Sequence, residues 1–249
     1  MNNNPFSLEG KVIFVTGASS GIGRAIAIEC SKVGANLIIT GRNEERLIAT
    51  YDSLEGKIHL KIVADLQNEN DTSKLVDELP ELDGIVHCAG IVKTLPFQYV
   101  NKQDLNLIFD TNLMAPAIMS QMFLKKKKIK KNASIVFISS ISGVMCALVG
   151  NSMYSASKGA VNGLVKGMAL DLAPKGIRVN SVVPGMIETN ILSEGSITQE
   201  QLQEDMKRYP LKRYGKPEEV AYATIYLLSD ASKWVTGSNL LIDGGYTLL

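Results

Sequence analysis

The chain has 249 residues, of which 45% are apolar, and its 26 Lys and Arg balance 25 Asp and Glu to a formal net charge of +1. This composition is that of an ordinary globular protein, which excludes disordered and collagen-like chains. The lack of a basic excess argues against a dedicated nucleic-acid-binding protein. At roughly 100–200 residues per domain, the length fits one large α/β domain.

The cysteines and the first residues give expectations about the cell compartment. Cys30, Cys88 and Cys146 are odd in number and widely spaced, which argues against a disulfide scaffold or a cysteine-rich zinc site and favours a reducing compartment. The first ten residues lack the basic and apolar regions of a signal peptide, and no run reaches the ~18 apolar residues of a membrane span. We therefore expect a soluble cytoplasmic protein that does not bind a membrane.

Short β-branched apolar runs alternate with segments of helical periodicity along the whole chain. Continuous apolar runs are typical of parallel strands that helices cover on both faces. The pattern predicts an α/β fold, a single doubly wound (Rossmann) domain over residues 1–249 with about seven parallel strands and helices on both faces. Helices are predicted near 22–33, 43–54, 69–79, 100–123, 153–173 and 217–229. The predicted strands are Val12–Val15, Leu37–Thr40, Ile58–Val63, Gly84–His87, Ser134–Ile138, Ile177–Val183 and Asn239–Ile242.

One stretch, near residues 185–215, has weak periodicity and lies between the sixth predicted strand and the last predicted helix. In a fold of this kind, a long connection at that position is the expected place for a mobile substrate lid. The residues of this stretch carry no transferable code for a particular substrate.

The first predicted strand leads into a glycine-rich turn and then a helix. Glycine allows positive φ angles and close approach of the backbone, and the helix N-terminus offers unpaired N–H groups to a phosphate. This order predicts a dinucleotide site, although a tight strand-to-helix connection would use the same glycines. The spacing G-x-x-x-G-x-G lacks the Gly-Lys-Ser/Thr ending of a P-loop, so triphosphate hydrolysis is not expected. The candidate residues are Gly17, Ser19, Ser20, Gly21, Ile22 and Gly23.

The residue after the second strand indicates which dinucleotide binds. An NAD site usually places Asp or Glu there, where the carboxylate accepts from the ribose 2′-hydroxyl. This chain has Arg42, and its first acid follows at Glu44. Because a guanidinium makes charge-assisted hydrogen bonds to a 2′-phosphate, the sequence favours NADP(H) over NAD(H). The alternative is that Arg42 only begins the next helix and faces solvent.

Ser140, Tyr154 and Lys158 form a candidate acid–base group. Lys158 follows Tyr154 by four residues, so the two lie one turn apart on one helix face, where a solvated pair is the alternative. Ser140 follows the fifth strand, at the sheet edge where ligands bind in this architecture. A cation ~4 Å from the phenol favours phenolate by about three pKa units before burial opposes it. We expect Ser140 to orient a carbonyl and Tyr154 to move the proton during hydride transfer.

These motifs and several others resemble the short-chain dehydrogenase/reductase family over nearly all of the chain. In that family an Asn-Ser-Tyr-Lys tetrad is catalytic, which implies that Asn112 shapes its helix and holds a water linking Lys158 to a proton relay. The motifs that carry the resemblance are Thr16-Gly17-x-x-x-Gly21-Ile22-Gly23, Asp65-Leu66, Ala89-Gly90, Asn112, Ser140, Tyr154-x-x-x-Lys158, Pro184-Gly185 and Asp243-Gly244-Gly245.

The resemblance also implies contacts to the cofactor. Asp65 would contact adenine, and Ala89-Gly90 would line the cofactor. Ile187 and Thr189 would touch the nicotinamide amide and the phosphates. The cofactor-binding residues implied in this way are Asp65, Leu66, Ala89, Gly90, Tyr154, Lys158, Ile187 and Thr189.

One position departs from the family pattern. Where the family usually reads Asn-Asn-Ala-Gly, this chain has His87 and Cys88 before Ala-Gly. An Asn there commonly ties the central strands together, so its loss is expected to affect local stability rather than chemistry. Cys88 is expected to be a buried, inert thiol rather than a redox switch. His87 and His59 have no Cys or acid partner at metal spacing, so no metal site is expected.

The C-terminal part of the chain is similar to bacterial 3-oxoacyl-acyl-carrier-protein reductases, through Pro210–Ala221 and Val235–Gly245. This similarity implies reduction of a ketone with NADPH, with a 3-oxoacyl thioester of fatty acid synthesis as one candidate. Sugar, polyol and other secondary-alcohol dehydrogenases of the family share these elements and remain an alternative. A non-catalytic cofactor-binding sensor is a third hypothesis.

Partners are indicated by charge and by the resemblance. The run Lys125–Lys131 holds six lysines and would suit an acidic carrier protein, or it is a solvated helix end whose cations complement the dipole. Without interleaved aromatic residues it does not indicate a nucleic acid. The family resemblance implies a homotetramer.

Overall fold

The computed structural model describes residues 4–189 and 199–248. Within these ranges seven strands form one parallel sheet of order β3-β2-β1-β4-β5-β6-β7, which confirms the predicted doubly wound α/β fold. The strands are β1 (Val12–Thr16), β2 (Asn36–Gly41), β3 (Leu60–Val63), β4 (Leu82–His87), β5 (Ile129–Ile138), β6 (Arg178–Pro184) and β7 (Asn239–Ile242). The helices are α1 (Gly21–Lys32), α2 (Glu44–Tyr51), α3 (Glu69–Glu78), α4 (Lys102–Phe109), α5 (Ala115–Lys125), α6 (Ser152–Leu172), α7 (Gln199–Met206) and α8 (Pro217–Leu228).

Helices cover both faces of the sheet, so neighbouring strand residues are buried on opposite sides. On one face, Val15 of β1 packs in a core with Ile26 of α1 and Leu228 of α8. On the other face, Phe14 meets Phe123 of α5 edge to face, with ring centres 5.5 Å apart. The chain therefore builds two apolar layers from strands that read as uninterrupted apolar runs.

The strand order reverses between β1 and β4, which opens a crevice at their carboxyl ends. Thr16 joins the two strands at this point, because its Oγ1 accepts hydrogen bonds from the backbone N–H groups of Cys88 (3.0 Å) and Ala89 (3.1 Å). Thr16 thereby fixes the turn after β4 to the end of β1, at the edge of the crevice.

β5 begins at Ile129 rather than at Ser134, where the apolar pattern predicts it. Ile129 pairs with Leu82 of β4, next to a register shift in that strand. The added residues include Lys130, Lys131 and Asn132, and these polar side chains hide the strand from a search for apolar runs.

The lysine run Lys125–Lys131 is tied to neighbouring elements. Every second lysine forms a bond: Lys126 with Asp77 (2.7 Å), Lys128 with the Asp77 carbonyl (3.0 Å) and Lys130 with Asp83 (2.8 Å). The last turn of α3 has no basic residue of its own, so Lys126 and Lys128 complement the C-terminal end of its dipole. These three lysines are therefore paired within the chain, which differs from the solvated helix end that the sequence suggests.

The lysine run also lies at the amino-terminal end of β5, whereas Ser140 follows the carboxyl end. Ten strand residues at ~3.3 Å each separate the two by roughly 30 Å. A carrier bound at the run would therefore not face the crevice of the same chain.

The helix predicted near 100–123 is present but opens in its middle. α4 leads into a wider π turn over Asp110–Met114, and α5 continues from it. Such turns insert an extra residue into the helix and are frequent at functional sites. This one carries Asn112.

Among the described residues, one helix, Lys102–Lys125, is long and apolar enough to cross a bilayer, with a mean hydropathy of 1.2 over its most apolar 18 residues. It is not the uninterrupted run of apolar residues that a membrane span was expected to need, because Asp, Asn, Thr, Ser and Gln side chains interrupt it. A helix in a protein core passes the same test, and 39% of that window is buried in this fold.

The predicted lid region, 185–215, contains α7 and a small apolar cluster of Leu202, Tyr209 and Tyr214. Periodicity did not indicate this helix. Its start at 199 follows residues 190–198, the middle of the predicted lid, which lie outside the described residues.

Candidate active site

A cavity of about 740 Å³ opens at the carboxyl ends of the strands, where the strand order reverses. Its volume lies in the range of small-molecule and cofactor sites. Ser140 lies on the cavity wall. The predicted cofactor-binding residues on the same wall are Gly17, Ser19, Ser20, Gly21, Ile22, Gly23, Arg42, Asp65, Leu66, Ala89, Gly90, Tyr154, Lys158, Ile187 and Thr189.

The glycines of the first turn are required by geometry. Gly17 has φ +67°, and a Cβ there would lie 2.8 Å from Cα of Ala89. A Cβ on Gly23 would lie 2.3 Å from the Gly17 carbonyl oxygen. A side chain at either position would therefore push apart the strand, the turn and the helix that form the crevice.

The N-terminus of α1 differs from those of three other helices. Asn43, Asn68 and Asn101 cap α2, α3 and α4 with side-chain hydrogen bonds. Among the described residues, Ser20 makes no such bond at α1, whose first turn also holds no acid. The N–H groups of this turn thus face the cavity with their partial positive charge, which suits a pyrophosphate.

At the far end of the cavity, exposed Arg42 and Arg46 both lie on the wall. Glu44 is not among the described lining residues, so no carboxylate from that position opposes a 2′-phosphate. Arg46 was missed in the sequence, although its position one helical turn beyond Arg42 is a readable signal.

Ser140, Tyr154 and Lys158 meet at the opposite end of the cavity. Ser140 follows β5, and α6 presents the tyrosine and the lysine one turn apart. The Tyr154 hydroxyl faces Ser140, whose side chain lowers the pKa of the phenol. The ammonium of Lys158 is buried and donates to the Ile138 carbonyl at 2.8 Å. The three side chains can therefore address one substrate oxygen together.

Burial sets the pKa values of the two titrating groups. It lowers the pKa of Lys158 to about 8, and it raises the pKa of Tyr154, which the hydrogen bond with Ser140 opposes. In the chain alone, the opposing effect of burial outweighs the effect of the cation that the sequence predicts. The Lys158 ammonium lies 5.8 Å from the tyrosine ring centre, and desolvation of the phenolate is the larger effect.

Asn112 lies behind the cavity rather than among its described lining residues. Its amide donates to the Ile91 carbonyl (3.0 Å) and to Ser157 Oγ (3.0 Å) and accepts from the Ile91 N–H (2.8 Å). A Cβ on Gly90 would come within 3.2 Å of Asn112 Oδ1 and 3.5 Å of Lys158 Nζ, so the glycine lets these two groups approach. Asn112 thus fixes the turn after β4 beside Lys158.

Within the described residues, the backbone N–H and C=O of Ile187 have no hydrogen-bond partner. The Glu188 N–H donates to the Gly215 carbonyl (2.8 Å), and the Gly215 N–H donates to the Met186 carbonyl (3.0 Å). Because this bridge uses the groups on either side of Ile187, its own N–H and C=O point the other way, toward the cavity that it lines. A primary carboxamide, with one donor and one acceptor, matches this pair.

His87 replaces the expected asparagine with another buried hydrogen bond. Its Nε2 lies 2.8 Å from Ser120 Oγ, whose proton is donated to the Pro116 carbonyl, so Nε2 is the donor in this bond. The ring stacks on Phe137 at 4.7 Å. Nδ1 has no partner within the described ranges, and burial lowers the pKa of His87 to about 3.

The cysteines and histidines form no metal site in the part of the chain that the structure describes, where no group of three His, Cys, Asp or Glu comes together. Burial raises the pKa of the Cys88 thiol to about 12, which makes the thiolate rare at neutral pH.

The chain is similar to known proteins over nearly its whole length. A family model described as enoyl-(acyl carrier protein) reductase matches residues 17–247. The chain is 35% identical to the 3-oxoacyl-[acyl-carrier-protein] reductase FabG of Rickettsia prowazekii (strain Madrid E) over 242 residues, which cover 97% of this chain and 99% of that protein.

Solved structures share the fold over nearly the whole chain. A Serratia marcescens short-chain dehydrogenase/reductase mutant aligns with a TM-score of 0.89 and 30% identity, over 98% of this chain and 100% of that one. A putative NAD(P)-dependent gluconate 5-dehydrogenase from Beutenbergia cavernae, with bound NADP at low occupancy, aligns with a TM-score of 0.87 and 30% identity, over 99% and 100%.

Proposed function

Because the chain belongs to the short-chain dehydrogenase/reductase family, we propose that it reduces a ketone to a secondary alcohol with NADPH. The observation that carries the proposal is the meeting of Ser140, Tyr154 and Lys158 at one end of a cavity whose other end holds Arg42. A reduced nicotinamide cofactor supplies the hydride that such a reduction needs.

The catalytic roles that we propose follow from the contacts. Ser140 donates a hydrogen bond to the substrate carbonyl and orients it, and Tyr154 gives its proton to the carbonyl oxygen. Lys158 stabilises the phenolate that remains. Asn112 positions the turn after β4 and, through it, the surroundings of Lys158.

The residues present fit a dinucleotide. The uncapped start of α1 would hold the pyrophosphate, and the backbone N–H and C=O of Ile187 would hold the nicotinamide carboxamide. Asp65 would contact adenine, and Arg42 with Arg46 would bind a 2′-phosphate. The remaining wall residues, Gly17, Ser19, Ser20, Gly21, Ile22, Gly23, Leu66, Ala89, Gly90 and Thr189, would supply close backbone approach and apolar contact.

Replacing Arg42 tests the cofactor preference. Arg42→Ala should weaken binding of NADP+ roughly tenfold to a hundredfold, because hydrogen bonds to a charged group contribute ~1.5–3 kcal/mol. Binding of NAD+, which lacks the 2′-phosphate, should not change. Calorimetric titration with both cofactors measures this, with Lys166→Ala as the control that removes an exposed cation from α6. Equal losses for NADP+ and NAD+ would contradict the assignment.

The surroundings of Ser140 and Tyr154 support an apolar acyl substrate. Residues 132–157 contain no charged side chain. Val144, Met145, Leu148 and Val149, in the connection between β5 and α6, are exposed apolar residues. These side chains would bury the chain of a 3-oxoacyl thioester without leaving its apolar surface in water.

A sugar or polyol dehydrogenase is the second candidate function. It is favoured by the structural similarity to a protein described as a gluconate 5-dehydrogenase. A gluconate-like acid would need a free cation, but Lys93, in the turn after β4, is already paired with Asp104 at 2.6 Å. A cofactor-binding sensor without turnover is the third and least supported hypothesis, since Ser140, Tyr154 and Lys158 are all in place.

A panel of carbonyls and alcohols with both nicotinamide cofactors tests the proposed function. We expect oxidation of NADPH with acetoacetyl thioesters, faster than with NADH, and no turnover of polyols. Turnover of polyols or gluconate alone would overturn the acyl assignment in favour of the second candidate. Cofactor binding without turnover across the whole panel would instead support the sensor.

We further propose a homotetramer, a cytoplasmic location and a substrate lid near 185–215 within a single domain over residues 1–249. The relatives' printed name suggests that an acidic carrier protein presents the substrate. The distance between the lysine run and Ser140 implies that such a carrier approaches the crevice elsewhere on the chain.

A further inference from the structure

The backbone that faces the nicotinamide end of the cavity is fixed by a chain of hydrogen bonds. The Ile141 N–H donates to the Pro184 carbonyl (3.1 Å), and the Gly185 N–H donates to the Ile242 carbonyl (3.1 Å). The carbonyl of Met186 accepts a hydrogen bond from the Gly215 N–H. One group in this series is held by a side chain, because the Met186 N–H donates to the hydroxyl of Tyr209 at 3.3 Å.

Tyr209 is itself held rigidly. Its side chain is 4% exposed. Its ring stacks on Tyr246 with centres 4.8 Å apart and meets Tyr214 edge to face at 5.5 Å. The adjacent Pro210 packs against Gly245, where a Cβ would come within 2.9 Å. The hydroxyl therefore has little freedom to follow Met186 if that residue moves.

We infer that Tyr209 is a positioning residue for nicotinamide binding, an inference that rests on the proposed function. The N–H and C=O of Met186 are both hydrogen-bonded, which fixes the orientation of the next peptide group. Ile187 therefore presents its own N–H and C=O to the cavity. Tyr209 thereby sets the place of the carboxamide without touching it.

The chain offers a matched control in Tyr214, which belongs to the same buried cluster. Its hydroxyl donates to Asp205 at 2.9 Å, away from the segment that faces the cavity. The same hydroxyl lies 3.4 Å from the Leu202 carbonyl oxygen. Removal of either hydroxyl takes hydrogen bonding from the cluster and keeps both rings. Only the loss at Tyr209 frees the Met186 N–H.

The test compares Tyr209→Phe with Tyr214→Phe in titrations with NADPH and with 2′,5′-ADP, which represents the adenosine half alone. We expect Tyr209→Phe to raise the Kd for NADPH roughly threefold to tenfold, the effect of one hydrogen bond, and to leave the Kd for 2′,5′-ADP unchanged. Tyr214→Phe should change neither Kd, although both variants lower the unfolding temperature to a similar extent.

Three outcomes overturn the inference: unchanged NADPH binding in Tyr209→Phe, equal weakening of both probes, or the same loss in Tyr214→Phe. If unaltered protein binds neither NADPH nor NADH, the proposed function fails instead. If Tyr209→Phe folds poorly, amide hydrogen exchange at Met186 in the unaltered protein tests the bond to Tyr209 directly. Slow exchange there is expected, and exchange at the rate of a free amide would refute the bond on which the inference rests.

Discussion

Tyr154→Phe should lower kcat roughly 10²–10⁴-fold, the contribution of a positioned proton donor, while the Kd for NADPH stays the same. The substitution removes one hydroxyl and keeps the ring. Because half-buried Tyr154 lines the cavity with Ser140 and Lys158, its hydroxyl is the group placed to give a proton to the substrate oxygen. Steady-state rates with an acetoacetyl thioester and NADPH, together with a binding titration, measure the two quantities.

Tyr222→Phe is the matched control, since Tyr222 is exposed on α8 and away from the cavity wall. It should leave kcat and the Kd unchanged. Unaltered turnover in Tyr154→Phe would remove the tyrosine from the mechanism. A loss of NADPH affinity as large as the loss of kcat would show a binding role instead.

His87→Asn should make the free energy of unfolding less sensitive to acid. In the folded protein burial lowers the pKa of His87 to about 3, whereas an unfolded histidine titrates near 6.5. The unfolded chain therefore binds a proton that the folded chain does not. The stability from neutral His87 is complete above about pH 6.5 and is lost toward pH 3, at roughly 1.4 kcal/mol per pH unit.

Urea unfolding at several pH values between 7 and 4.5 measures this slope, which is read as a difference between variant and unaltered protein. The control is His59→Asn, which removes the only other histidine and leaves His87 in place. The same acid dependence in His87→Asn and in the unaltered protein would show that His87 does not produce it. A lower stability of His87→Asn at pH 7 is expected as well, because the bond to Ser120 is lost.

The fold class could be predicted because its signal is local. β-branched apolar runs recur with helical segments between them, and each of the seven predicted runs lies on a strand of the sheet. Two features of the fold departed from the predicted pattern. The start of β5 at Ile129 is hidden by Lys130 and Lys131, of which Lys130 bonds to Asp83 of β4. The π turn over Asp110–Met114 leaves no mark in the apolar pattern.

The arrangement of the candidate site could be predicted in large part for a related reason. In a parallel sheet the residues that follow each strand meet at one edge, so motifs far apart in the chain come together. Gly17 after β1, Arg42 after β2, Ala89 after β4 and Ser140 after β5 all line one cavity. Spacing alone also placed Tyr154 and Lys158 one helical turn apart.

The sequence by itself therefore determined the order of the elements and the residues at the sheet edge, because periodicity and spacing are properties of neighbouring residues. Only the tertiary structure decided the pKa values of Tyr154 and Lys158, since desolvation depends on what surrounds a group. It alone joined Met186 to Tyr209, 23 residues apart, because no local pattern specifies which distant hydroxyl meets a given N–H. The net charge of +1 likewise did not indicate that Lys126 pairs with Asp77 and Lys130 with Asp83 in the folded chain.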